Sequence, residues 1–323
     1  MSLKASTSFR AKAKASALAD RMECVNLLLL ILLSRLSHAV RAEEKTLDMA
    51  PNAVDDDFSG CRDRMLQAVT EPGGLLQKEL RARRDFAEMW NNSQTCKKQI
   101  PGLTPHHLTA LQTYGNSKTQ FRKTFNHNIH TSGSNSTTYK NQFTFKSLHF
   151  LLTDTMRHLN AGETCRLVYY GTSNRYTAET GMDIRFGKLI RSANEESLEK
   201  EKVEAGGEGT LFHITSCSVV NVENYTCSSE EIEQLISPTE VFRVENVRPV
   251  SNEDGDYNII TLTHSRFLSS HHCYLFDSIS EATTPGSPVL TQAPGGSSSP
   301  ALSSTVLALA VCILSVYYCT APL

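Results

Sequence analysis

The 323-residue chain is short of several things, and each shortage closes off a class of function. It has one tryptophan, and only 7% of its residues are aromatic. Lys and Arg number 32 against 34 Asp and Glu, with no sustained basic stripe, so the electrostatic footprint that nucleic acid requires is missing. No glycine pattern of the dinucleotide-binding or phosphate-loop kind is present, and no internal repeat. No apolar run reaches the roughly 20 residues a spanning helix needs. His127 and His130 share a helical spacing, and His271 and His272 precede Cys273, but no third convergent ligand accompanies them. No metal site is expected, since zinc takes three or four ligands and an oxidised cysteine is not one.

What is present begins with two special ends. The run Val25–Leu33 (VNLLLLILL) suits a signal-peptide core, and small residues follow it up to Val40-Arg41-Ala42. Cleavage after Ala42 makes residues 1–42 a signal peptide, with Met22 as an alternative start that gives a leader of ordinary length. At the other end, a Pro/Gly/Ser-rich stalk (281–299) leads to an apolar tail, Val306–Tyr318, within 300–323, with no charge after it. That is the layout of a GPI-anchor signal, with attachment expected among Gly295, Gly296, Ser297 and Ser298. A single C-terminal transmembrane anchor and plain secretion are the alternatives; the missing basic stop-transfer residues count against the former.

Residues 43–280 remain, enough for one domain with a substantial core. Removing Cys24 with the leader and Cys312 and Cys319 with the tail leaves Cys61, Cys96, Cys165, Cys217, Cys227 and Cys273. An even set allows up to three bridges in an oxidising compartment. Sequons at Asn91, Asn135 and Asn224 agree with a glycosylated surface. A domain displayed on the outside of a cell is the expected outcome.

The first half reads helical. Leu75, Leu76, Leu80, Phe86, Met89 and Trp90 recur at three- and four-residue spacings, and Leu108, Leu111 and Tyr114 do so in a shorter segment. A further helix is predicted from Lys146 to Asn160, with Gly162 placed to end it. The second half changes period, with β-rich runs at Arg166–Tyr170, Met182–Ile190, Thr210–Thr215, Val241–Val250 and Tyr257–Thr263. Helices followed by strands predict an α+β domain. The Glu/Lys-rich stretch Glu195–Glu208 reads as a solvated loop or short exposed helix.

Three stretches carry more. They are Leu108-Thr109-Ala110-Leu111-Gln112-Thr113-Tyr114, Phe143-Thr144-Phe145-Lys146-Ser147-Leu148-His149-Phe150-Leu151-Leu152-Thr153, and Ile184-Arg185-Phe186-Gly187-Lys188 followed by Gly209-Thr210-Leu211-Phe212. In this order, across Asp55–Phe276, the chain resembles the ecto-mono-ADP-ribosyltransferases, GPI-anchored enzymes that move ADP-ribose from NAD or NADP to arginine side chains. The resemblance implies the ADP-ribosyltransferase fold, an N-terminal helical part packed on a mixed strand core with an NAD cleft. It implies the bridges Cys61–Cys273 and Cys165–Cys217, leaving Cys96 and Cys227 to pair with each other or to leave one thiol free. It implies as partners NAD, arginine-bearing surface or secreted proteins, and a membrane reached through the lipid anchor.

The family's chemistry rests on an arginine in a Tyr-Arg-Gly strand, a serine pair two apart, and a Glu-x-Glu turn. Breaking the nicotinamide–ribose bond builds positive charge on the ribose, which a facing carboxylate stabilises, as in glycoside hydrolysis. A second carboxylate two residues earlier orients the incoming guanidinium. By resemblance Glu233 takes the first role and Glu231, in Glu231-Ile232-Glu233, the second.

The NAD-binding positions implied are Tyr114, Tyr170, Gly171, Lys188, Arg191 and Ser192, and several depart from the family. Tyr169-Tyr170-Gly171 stands where Tyr-Arg-Gly is usual, replacing a guanidinium fork by a phenol. Lys188 replaces a glutamine. The serine pair falls on Arg191 and Ala193, with Ser192 between them on the other face unless a one-residue bulge turns it inward. Arg191 is then the candidate to replace the missing strand arginine. The alternative readings are a pseudoenzyme serving as a surface binding module, and a weak NAD glycohydrolase.

Overall fold

The structure, a computed structural model, describes residues 44–93, 99–162, 164–226 and 233–276. The expected signal peptide, stalk and anchor signal, Glu231, Cys96 and Cys227 lie outside them.

The helical half holds α1 (Arg62–Thr70), α2 (Leu75–Ala82), α3 (Arg84–Ser93), α4 (Pro105–Gly115), α5 (Thr119–Thr131), α6 (Ser136–Gln142) and α7 (Lys146–Leu159). The long periodic stretch from Leu75 to Trp90 is two helices, and α1, α5 and α6 are additions to the sequence reading. α7 is the centre of this half. Its Leu148, Phe150, Leu151 and Leu152 are buried, and Phe86, Phe121 and Phe125 gather around the preceding Phe145. The first amides of α7 are capped from a distance: the buried Glu79 carboxylate of α2 accepts Lys146 N–H at 2.8 Å and Ser147 N–H at 3.0 Å. Asp154 on the same helix is a hub, bonded to His107 Nε2 at 3.0 Å and to Arg62 and Arg157 at 2.8 Å each. Burial would raise the Asp154 carboxyl, but His107 and Arg62 outweigh it and hold it well below the usual range.

The strands are β1 (Lys45–Thr46), β2 (Arg166–Thr172), β3 (Tyr176–Thr177), β4 (Asp183–Arg185), β5 (Ile190–Ser192), β6 (Glu208–Ser216), β7 (Val220–Asn221), β8 (Gln234–Ile236), β9 (Glu240–Asn252) and β10 (Gly255–Phe267). One sheet has five strands in the order β2-β6-β10-β9-β4, with β6 and β10 parallel. A second has three in the order β5-β8-β7, all antiparallel, and β1 pairs with β3. The two larger sheets share a core: Val168, Phe212, Ile214, Phe242 and Ile260 from one meet Ile190 and Ile236 from the other.

The run Met182–Ile190 is not one strand. It breaks at Gly187, whose φ of +59° favours glycine, so β4 joins the large sheet and β5 the small one. A side chain there would also collide, since an added Cβ meets that of Ala50 at 2.4 Å. The acidic stretch differs as well. Glu196–Glu204 forms α8, which buries Glu199 and Val203 against the outer face of the large sheet.

Disulfides join Cys61 to Cys273 and Cys165 to Cys217. Beside the first, Asp55 pairs with Arg185 at 2.6 Å and His271 at 2.5 Å, fastening the start of the domain to its end. Burial opposes ionisation of Asp55, but His271 and Arg185 together keep its carboxyl far below normal. No helix among the described residues is long and apolar enough to cross a membrane.

Candidate active site

The small sheet sets the site. Ile190 pairs with Ile236, Arg191 with Leu235 and Ser192 with Gln234, without a shift of register. Ile190 and Ile236 therefore face the inter-sheet core, whereas Leu235 joins the helical core and Arg191 shares its side of the sheet. The bulge that would turn Ser192 around is not formed. Ser192 is buried, and its hydroxyl donates to Gln234 Oε1 at 3.4 Å.

Glu233 stands at the entry to β8 and is held from both sides. Its carbonyl accepts the Val222 N–H at 2.9 Å, and its carboxylate accepts the Asn194 N–H at 3.3 Å. Gln234 closes the frame by donating to Asn194 Oδ1 at 2.7 Å. The result is a half-buried carboxylate oriented by backbone, with no cation bonded to it among the described residues. Arg191, which opposes Leu235, stands diagonally across the β5–β8 pairing from Glu233, the residue that precedes β8.

The large sheet meets the small one at Tyr169 and Ala193, whose N–H groups each donate to the other's carbonyl at 2.9 Å. Tyr170 follows at once. Its ring is stacked on Phe212, with centroids 5.6 Å apart, and lies edge-on to Phe186. Burial raises its phenol pKa, while Thr172 and the charge of Arg191 work the other way. Gly171 bonds through its N–H to Glu199 Oε2 at 2.8 Å, and an added Cβ would meet the Glu199 carbonyl at 2.2 Å. The glycine of the Tyr-x-Gly strand thus admits α8, a contact the acidic stretch had not signalled.

Tyr114 is buried in the helical core. Burial pushes its phenol up to about 12 against the opposing influence of Asn126 and Arg191. Asn126 donates both to Tyr114 Oη at 3.3 Å and to the Leu189 carbonyl at 3.0 Å, so this tyrosine helps fix the entry to β5. Lys188 is half-buried in the same entry; burial and then the like charge of Lys45 lower its pKa. Arg191 therefore acts electrostatically on Tyr114 and Tyr170 alike, one on a helix and one on a strand. The structure brings Tyr170, Gly171, Arg191, Ser192 and Glu233 to the junction of the sheets, and keeps Tyr114 and Lys188 at its margin.

Gln234, Asn194 and Glu199 escaped the sequence reading. Among the described residues one cluster has metal-ligand proximity, Cys217 with Glu240 and His264. The Cys217 sulfur is in a disulfide and offers no thiolate.

The protein family described as NAD:arginine ADP-ribosyltransferase matches residues 47–269. The chain belongs to this family. Among the transferases it resembles, the erythroblast NAD(P)(+)–arginine ADP-ribosyltransferase of Gallus gallus is 31% identical over 241 residues, covering 72% of this chain and 76% of that protein. Ecto-ADP-ribosyltransferase 5 of Bos taurus is 30% identical over 239 residues, covering 70% and 72%. The crystal structure of the mono-ADP-ribosyltransferase ART2.2 superposes with a TM-score of 0.58 at 26% identity, covering 72% of this chain and 100% of that one. A mutant of that transferase in complex with NAD gives 0.56. The α+β architecture is thus the ADP-ribosyltransferase fold.

Proposed function

We propose that the chain transfers ADP-ribose from NAD to the guanidino group of arginine, releasing nicotinamide. The observation that carries this reading is the placement of Glu233 within the family-matched region. Its carboxylate is fixed by the Asn194 amide, half-open to solvent and, among the described residues, without a bonded cation that would quench it. A carboxylate so preorganised stabilises positive charge growing on the ribose carbon as the bond to nicotinamide breaks. A guanidino nitrogen then forms the new bond to that carbon, and Glu231, two residues earlier, is the group we assign to orient it and to accept the proton it gives up.

Arg191 takes over the electrostatic role of the strand arginine that Tyr170 displaces. β2 and β5 are joined at Tyr169 and Ala193, so a cation moved from one strand to the other stays beside the same cleft. A diphosphate held beside Arg191 would leave the ribose toward Glu233. Lys188 adds positive charge at the margin, available to NADP as to NAD. Stacking of Tyr170 on Phe212 favours the second reading, a binding module that no longer holds NAD, because a residue so packed contributes surface and no charge. The names of relatives as ecto- and GPI-linked enzymes support a lipid-anchored place on the cell surface, with surface or secreted proteins as targets.

The deciding experiment is transfer of labelled ADP-ribose to an arginine analogue by the purified, disulfide-intact ectodomain, with Glu233→Gln alongside. Transfer lost in the variant establishes the enzyme. No transfer, and no NAD-dependent rise in Tm, leaves the binding module.

A further inference from the structure

The turn Val222–Thr226 leaves β7 beside Glu233, whose carbonyl accepts the Val222 N–H. Asn224 at its tip is exposed and opens the sequon Asn224-Tyr225-Thr226. The rest of the turn is pinned. Tyr225 N–H and Thr226 N–H both donate to the Val222 carbonyl, at 2.9 and 3.1 Å. The Tyr225 carbonyl accepts from Gln112 Nε2 of α4 at 2.9 Å, Val222 is buried, and the Tyr225 ring packs on the helical core. Val222 is also the residue whose N–H holds the Glu233 carbonyl. Asn224 is therefore two residues from the backbone partner of Glu233, at the same end of the small sheet, on a turn that cannot swing away. Asn91, in the last turn of α3, and Asn135, which caps α6, have no such tie.

We infer that Asn224 carries an N-linked glycan standing at the lip of the Glu233 site and acting as an acceptor filter. The sugar is joined when Asn224 Nδ2 bonds to the first sugar's anomeric carbon and loses one proton, while the lipid diphosphate carrier departs with the electron pair of the broken C–O bond. A glycan is bulky and hydrated. A folded protein must bring its own surface to within hydrogen-bond reach of the catalytic carboxylates, about 3 Å. A small guanidine needs no such approach. The filter therefore admits free guanidines and arginines on extended, protruding segments, and excludes those lying flush with a folded surface. The inference rests on the transferase reading and on passage through the secretory pathway.

The test uses the full chain made in a secretory host. Glycopeptide mass spectrometry reads occupancy at Asn224. Transfer rates are compared for arginine methyl ester and for a compact folded protein with surface arginines, using untreated enzyme, enzyme treated with an endoglycosidase, and Asn224→Gln. The expected result is an occupied site, an unchanged rate on the ester, and a protein-to-ester rate ratio raised about tenfold by either removal. Should Asn224→Gln fail to fold, the endoglycosidase comparison carries the result. An empty Asn224, or an unchanged ratio in enzyme active on the ester, overturns the filter and leaves the transferase intact. No transfer to the ester by any form overturns the transferase reading, and the filter with it.

Discussion

The five-stranded and three-stranded sheets share one core but are held in place by different means. β9 and β10 pair along almost their entire lengths, and Phe212, Phe242 and Ile260 of the large sheet are fully buried, so that sheet is fixed by ladder and apolar area. β5, β7 and β8 are two or three residues long and have little ladder of their own. They are fixed by polar ties: Gln234 to Asn194, Ser192 to Gln234, Asn126 to both backbone groups of Leu189. The difference teaches where change is tolerated. β2 of the large sheet accommodates the Tyr170 ring by stacking it on Phe212, whereas the frame around Glu233 is held by single polar contacts.

The sharpest break of this comparison is Phe212→Ala. Its ring meets Tyr170, Tyr176 and Phe186, and truncation should destabilise the domain by about 3–5 kcal/mol in denaturant unfolding. On the small sheet the effect should fall on rate. Glu233→Gln keeps an acceptor for Asn194 N–H but removes the charge, lowering kcat by about 10²–10³-fold with Tm nearly unchanged. A comparable fall in Tm would reduce Glu233 to a structural tie. Next comes Arg191→Ala, expected to raise KM for NAD about ten- to a hundredfold, the worth of a charge-assisted bond. Tyr170→Arg in that background should recover part of the loss, and no recovery would deny that the two strands exchange the role.

The smallest effect is acid sensitivity, which arises from two carboxylates outside both sheets, one of them paired with Arg185 of β4. Asp55 and Asp154 both have folded-state pKa values depressed from 3.8. Their pairs stabilise the fold above that value and lose the contribution as pH falls through the lower folded values. Tm should therefore drop on acidification below about pH 4, and Asp154→Asn, already without its charge, should show a shallower slope.

Legibility in the sequence followed how much each position depends on partners remote in the chain. α7 could be read because its apolar stripe from Leu148 to Met156 is local and Gly162 follows. α5 carries Phe121, Phe125 and Ile129 at four-residue spacing, but the polar residues between them masked the pattern. α8 misled more deeply, since Glu199 in a charged run is ordinarily exposed, and only the approach of Gly171 shows why it is buried. The break at Gly187 was hidden because β-forming apolar residues stand on both sides of it, Ile184 and Phe186 before and Leu189 and Ile190 after. At the site, Glu233 and Arg191 are singled out by the family resemblance alone. Gln234 and Asn194 carry no signature, because their role exists only once β5 and β8 lie side by side.

The fastening of the domain's two ends has a mechanical meaning. Cys61 is bridged to Cys273 across 212 residues of sequence, Asp56 accepts the Cys273 N–H at 2.7 Å, and Asp55 accepts the N–H groups of Ser270 and His271. A pull on the chain beyond Phe276 reaches this clasp before it reaches β10, and the bridge passes the tension to the start of α1. The load enters the fold at α1 and at the Asp55–Arg185 pair on β4, away from the three-stranded sheet. A domain tethered from its C-terminal side can then be dragged by flow or by a bound partner while Glu233 and Arg191 keep their spacing.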